Sequence, residues 1–161
     1  MGIEIERKFL VDSDKWKSLK KPKGEFFRQA YLVTEKSKSI RVRQTPTTAF
    51  LTIKGQSEGL KRLEFEYEIP LKEADELIEN LAVAELTKTR YKIEFKGKLW
   101  EIDEFSGENE GLILAEIELN SENETVELPD WIGKEVSSDE RYYNANLSVK
   151  PFKKWKISER N

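Results

Sequence analysis

The 161-residue chain contains no cysteine and no histidine. Without cysteine there is no disulfide, no thiolate nucleophile and no thiolate metal site. Without histidine there is no imidazole base and no imidazole ligand. Any metal must then be held by oxygen, which favours Mg²⁺, Mn²⁺ or Ca²⁺ over Zn²⁺ or Cu²⁺. No apolar run is long enough to span a bilayer and no leader pattern is present, so a cytoplasmic protein without membrane partners is expected. Charge of one sign is also lacking: 28 Lys and Arg nearly cancel 31 Asp and Glu, leaving −3. Bulk attraction to nucleic acid is therefore not expected, and selectivity for a charged ligand has to come from local arrangement.

What the chain has in quantity is charge, at 37% of its residues, and that charge is patterned. In Ile3-Glu4-Ile5-Glu6-Arg7-Lys8-Phe9 the period of two puts Glu4, Glu6 and Lys8 on one strand face and Ile3, Ile5 and Phe9 on the other. The pattern recurs. Strands are expected over 3–9, 25–34, 39–45, 49–55, 61–69, 86–96, 98–105 and 112–120. The strand 61–69 is the most regular, with Leu63, Phe65, Tyr67 and Ile69 opposite Arg62, Glu64, Glu66 and Glu68.

Asp12 or Ser13 can cap a short helix carrying Trp16 and Leu19. Residues 72–84 switch to helical spacing through Ala74, Leu77, Ile78 and Leu81. Ser121 with Glu124 has the form of a capping box, and Ser138-Asp139-Glu140 suits another helix start. The basic tail 150–161 carries Phe152 and Trp155, which predicts docking on the body without fixing its conformation. The expectation is one mainly β (α+β) domain over 1–161: an eight-stranded antiparallel closed barrel with a few covering helices.

Alternation alone does not decide which face points inward, because a one-residue change of register swaps the two. Composition favours charge inside. The apolar faces carry Phe65, Tyr91 and Trp100, too much bulk for one narrow lumen. An interior rich in both signs of charge is costly to desolvate unless the charges pair or meet a ligand. A charged, multidentate ligand explains such an interior; stability does not.

These faces resemble the CYTH superfamily, the triphosphate tunnel metalloenzymes. Glu4-Ile5-Glu6-Arg7-Lys8 is similar to that family's amino-terminal ExExK signature. The likeness continues in order through Arg28–Leu32, Arg41-Val42-Arg43, Leu51–Lys54, Arg62–Glu66, Lys88–Tyr91, Glu101-Ile102-Asp103, Glu116-Ile117-Glu118 and Glu135–Tyr142. One departure is Glu140, where some relatives place a basic residue. The resemblance implies a charged tunnel that binds a triphosphate and a divalent metal, most often to hydrolyse inorganic tripolyphosphate.

Phosphoanhydride hydrolysis needs the anion neutralised, a water aligned and the leaving phosphate stabilised. Lys8, Arg41, Arg43, Lys54, Arg62 and Arg90 suit the first task, and the resemblance adds Arg141. Glu4, Glu6, Glu116 and Glu118, with Asp103, suit Mg²⁺ or Mn²⁺. Glu64 and Glu66 suit either a second metal ion or the attacking water. Lys88 with Tyr31 is a candidate base pair; a salt-bridged lysine beside a core aromatic is the plainer reading of the same two residues. Adenylyl cyclase, thiamine triphosphatase, a non-catalytic polyphosphate- or nucleotide-binding module and a structural barrel with internally paired charges are the rival readings. The sequence leaves monomer and homodimer open.

Overall fold

A computed structural model describes residues 2–161. Its sheet is formed by β1 (Ile3–Val11), β2 (Glu25–Thr34), β3 (Lys38–Gln44), β4 (Ala49–Gly55), β5 (Lys61–Ile69), β6 (Ala84–Phe95), β7 (Lys98–Phe105), β8 (Ile113–Glu118) and β9 (Ile132–Glu135). The order is β5-β4-β3-β2-β6-β7-β8-β1-β9, and a further β5–β1 pairing closes strands 1 to 8 into an antiparallel barrel. The eight expected strands are all present. The ninth was not anticipated: it is four residues long and pairs with the outer end of β1, Phe9 opposite Glu135 and Val11 opposite Ile132. So short a segment carries too little periodicity to read.

The closure is brief. Only Ile3–Leu63, Glu4–Arg62 and Ile5–Lys61 pair β1 with β5. Beyond them the Glu6 amide donates to the Leu60 carbonyl and the Lys8 amide to Ser137 Oγ, so the seam continues through loop residues.

Register decides the inward face. Glu66, Thr52 and Arg41 stand abreast on β5, β4 and β3; Lys8 stands opposite Glu116, and Arg90 opposite Asp103. These residues face the lumen, and the alternate apolar residues face outward beneath two covers. Helix α1 (Ser13–Ser18) brings Trp16 onto Phe9, Trp100, Ile117 and Trp131. Helix α2 (Leu71–Leu81) lays Ala74 and Ile78 on Ala30, Val42 and Ala49. Helix α3 (Asn144–Val149) and the tail instead close one end of the barrel, burying Leu147 and Trp155 with Leu86, Phe105 and Leu114, which share the inward face of Lys88, Asp103 and Glu116.

Asp12 caps α1, its carboxylate accepting from the Asp14 and Lys15 amides. The expected helix over 72–84 stops at Leu81, since Val83 already donates to Tyr31 on the neighbouring strand and β6 begins at Ala84. No helix follows Ser121. Glu124 reaches back one residue too far, to the Asn120 amide, and the segment makes a single turn. Ser138 precedes not an α-helix but a 3₁₀ turn, Glu140–Tyr142, capped by Asp139. The tail docks as expected, through 3₁₀ turns at Phe152–Lys154 and Ile157–Glu159. Among the described residues no helix is long and apolar enough to cross a membrane.

Candidate active site

The lumen is a cavity of about 550 Å³. Six of the seven cations expected to bind substrate line it: Lys8, Arg41, Arg43, Lys54, Arg62 and Arg90. They come from β1, β3, β4, β5 and β6, so strand periodicity alone is enough to aim them at one space. Arg43 and Arg90 lie 4.8 and 5.3 Å over the Phe27 ring, and Arg62 lies 5.6 Å over Tyr143. The Nε donors of Arg41 and Arg43 are buried without a partner. Burial, then the Arg41 and Arg90 charges, pulls the Arg43 guanidinium down to about 10. These are donors arranged for an anion.

The carboxylates complete the ring. Glu4, Glu6, Glu64, Glu66, Glu116 and Glu118 all line the cavity. Lys54 Nζ is 3.1 Å from Glu4 and 3.2 Å from Glu64; burial pulls this ammonium down, but Glu4 and Glu6 outweigh it and hold it above its ordinary value. Glu66 accepts from Thr52 at 2.8 Å and lies 3.6 Å from Arg43. Burial, then the Glu116 and Glu4 charges, pushes the Glu6 carboxyl well above the usual range. Burial acts the same way on Glu116, but Lys8, Arg90 and Lys88 hold it well below. The two carboxyls are thus pushed in opposite directions, Glu6 toward its neutral form and Glu116 toward its charged one.

Beneath the lumen runs a buried polar chain. Lys88 Nζ donates to Asp103 at 2.7 Å and to Asn144 Oδ1 at 2.8 Å. Gln29 Nε2 lies 3.3 Å from the same Asn144 oxygen and 3.2 Å from the Tyr31 hydroxyl. The two members of the candidate base pair are thus joined through Gln29 and Asn144. Burial pulls the Lys88 ammonium down to about 7, against the pull of Asp103 and with help from Arg90.

Two expected residues do not line the cavity. Asp103 is 1% exposed, and its carboxylate is taken up by Arg90, at 2.7 and 2.9 Å, and by Lys88. It positions those cations and does not line the cavity, so it leaves the metal set. Arg141 lies outside the lumen, where it binds Asp139 at 2.6 Å, donates to the Glu159 carbonyl and stacks 5.1 Å over Trp155. It fastens the tail and leaves the substrate-binding set. Glu101, Asn144 and Tyr143 line the cavity without having been singled out as site residues, and Gln29 stands behind it. Glu101 shares a strand face with Asp103, and Gln29 shares one with Tyr31, so periodicity could have found both. Asn144 sits on the helix that closes the barrel's end and not on a strand, so no strand spacing points to it.

A closed antiparallel barrel whose lumen carries cations and carboxylates in register defines an anion-binding tunnel. The chain belongs to the CYTH domain family, whose sequence profile matches residues 2–148. It is 52% identical over 157 residues to the inorganic triphosphatase of Acetivibrio thermocellus, covering 97% of this chain and 99% of the relative. It is 37% identical over 154 residues to the inorganic triphosphatase of Nitrosomonas europaea, covering 91% and 97%. A crystal structure of an inorganic triphosphatase superposes with a TM-score of 0.63 at 33% identity, over 91% of this chain and 94% of that one.

Proposed function

We propose that this protein is a metal-dependent inorganic triphosphatase, which uses water to cleave tripolyphosphate into pyrophosphate and phosphate inside the tunnel. The observation that carries this reading is the convergence of Lys8, Arg41, Arg43, Lys54, Arg62 and Arg90 on one cavity. Among the described lining residues only Leu60 and Ala145 are aliphatic, which favours an inorganic substrate over one with a nucleobase or thiazole to bury.

Glu4, Glu6, Glu116 and Glu118 would hold Mg²⁺ or Mn²⁺. Among the described residues no three carboxylates converge closely enough to form a ligand shell unaided. Mg²⁺ is commonly held by one or two carboxylates together with substrate phosphate oxygens, so the donor set fits an ion that arrives with its substrate. The crowding of Glu6 by the Glu116 and Glu4 charges marks an excess of buried negative charge that such an ion would relieve. When bound, the ion neutralises phosphate charge and stabilises the leaving oxygen.

The chain's own groups do the rest. The guanidinium forks hold the phosphate oxygens and align the phosphorus. Glu64 and Glu66 act through Lys54 and Arg43, which they hold in place. Neutral Lys88 takes the proton of the attacking water on Nζ, and the Tyr31 hydroxyl orients that water.

Phosphate release from tripolyphosphate, ATP and thiamine triphosphate, each in Mg²⁺, Mn²⁺ or EDTA, tests the reading. Tripolyphosphate is expected to be the preferred substrate and EDTA to stop its hydrolysis. A preference for ATP or thiamine triphosphate, metal-independent turnover or no turnover would contradict it.

A further inference from the structure

The barrel's apolar outer face is covered by α1 and by α2, and one stretch stays bare among the described residues. Ile3, Ile53, Leu63, Phe65, Tyr67 and Leu71 are each between 36% and 55% exposed. They form a connected patch. Ile3 is the register partner of Leu63, and Ile53 of Phe65; Tyr67 follows on the same face, and Leu71 opens the helix that leaves the strand. The patch lies between two covers. Ile5 belongs to the cluster under α1, while Leu51 and Ile69 belong to the cluster under α2. The other exposed large apolar side chains, such as Leu81, Val149 and Ile157, lie off β1, β4 and β5 and need no such account.

We infer that this face of β1, β4 and β5 packs against the same face of a second copy of the chain. β5 is paired with β4 through Glu64–Ile69 on one edge and with β1 through Lys61–Leu63 on the other, and a strand added to the short remaining edge would leave the side chains of Ile3, Ile53 and Leu63 uncovered. The occupant must therefore lie flat on the side chains. Six large residues about half exposed present about 500 Å² of apolar surface. A standard interface takes about 800 Å² from each partner, and about 65% of a homodimer interface is apolar, or about 520 Å². The patch alone supplies that apolar share. Its shape suits a twofold axis: Phe65 lies mid-strand between Leu63 and Tyr67, so an axis at Phe65 sets each end of one patch against the opposite end of the other. The Phe65 ring is also held ready, since it rests against Gly2 where a Cβ would stand 2.5 Å from it. None of these six residues lines the tunnel, so the inference stands apart from the proposed activity.

Sedimentation equilibrium of the full chain tests it. The wild-type protein is expected at twice the chain mass and Phe65→Glu at the chain mass, with the melting transition of the variant showing that it folds. Because the chain has no cysteine, Leu63→Cys, Phe65→Cys and Tyr67→Cys give a second reading that does not depend on the charged variant. Under mild oxidation at least one should form a disulfide-linked dimer, whereas Lys92→Cys, exposed on another wall, should not. A wild-type monomer at every concentration would overturn the inference. So would a dimer that survives Phe65→Glu and is linked by none of the three cysteines.

Discussion

Lys88 is a lysine that neutral pH leaves partly unprotonated. Its pKa of about 7, set first by burial, makes the neutral amine a minority below pH 7 and the majority above it. A neutral base acts only when it is free of its proton, so kcat/KM, which follows the free enzyme, should rise tenfold per pH unit below about 7 and level off above. Asn144→Asp places a negative charge where Lys88 now donates at 2.8 Å. That charge favours the ammonium, so the limb should move to higher pH and the variant should lose more activity at pH 7 than at pH 9. An unmoved limb would take the base role from Lys88.

The cations and the metal carboxylates should fail differently. Arg43 makes no ion pair in the fold beyond a long one with Glu66, so Arg43→Ala should raise KM at least as much as it lowers kcat. Glu118→Gln keeps shape and loses charge; kcat should fall steeply and recover only in part at high metal concentration. Steady-state kinetics over a metal titration separates the two, and wild-type behaviour in both variants would contradict the assignment. Arg41, Arg43, Lys54 and Arg62 were legible in the sequence because strands alternate strictly, so a charged face is a list of lumen residues. Asp103 was not legible as a positioning residue. Its spacing suits a metal ligand, and only the lateral approach of Lys88 and Arg90 from β6 consumes its oxygens.

At the scale of elements, the long strands and α2 were readable because each spans enough residues to show a period. What escaped was short or depended on tertiary contact. β9 exists because β1 leaves its outer edge unpaired beyond the seam. The turn after Ser121 replaces a helix because Glu124 is drawn to the Asn120 amide and to Lys98. The cap of α1 gives an elementary test of the cover that the helix provides. Asp12 accepts from two amides at 3.1 Å, and replacing it with alanine should cost about 1 kcal/mol. For a chain of this length that corresponds to about 2–4 °C in melting temperature. No loss would show that Trp16 is held by packing alone.

At the scale of the whole molecule, the fold is arranged inside out relative to an ordinary small barrel: large apolar residues face outward under helices, and charge fills the centre. That arrangement is expensive while the tunnel lacks an anion, since Arg41, Arg43 and Arg90 repel one another across it. Binding of a triphosphate should therefore appear as stability.

The direct measurement is the melting temperature with and without a tripolyphosphate analogue that resists hydrolysis, in the presence of Mg²⁺, at low and moderate salt, and again with Arg41→Ala. At a hundredfold excess over Kd, mass action predicts a gain of about 2.7 kcal/mol, or about 5–10 °C at this chain length. An enclosed site should keep most of that gain in moderate salt, where an exposed charged face would lose it, and Arg41→Ala should reduce it. A folded, metal-loaded protein whose melting temperature does not move with the analogue would contradict the tunnel as a triphosphate site.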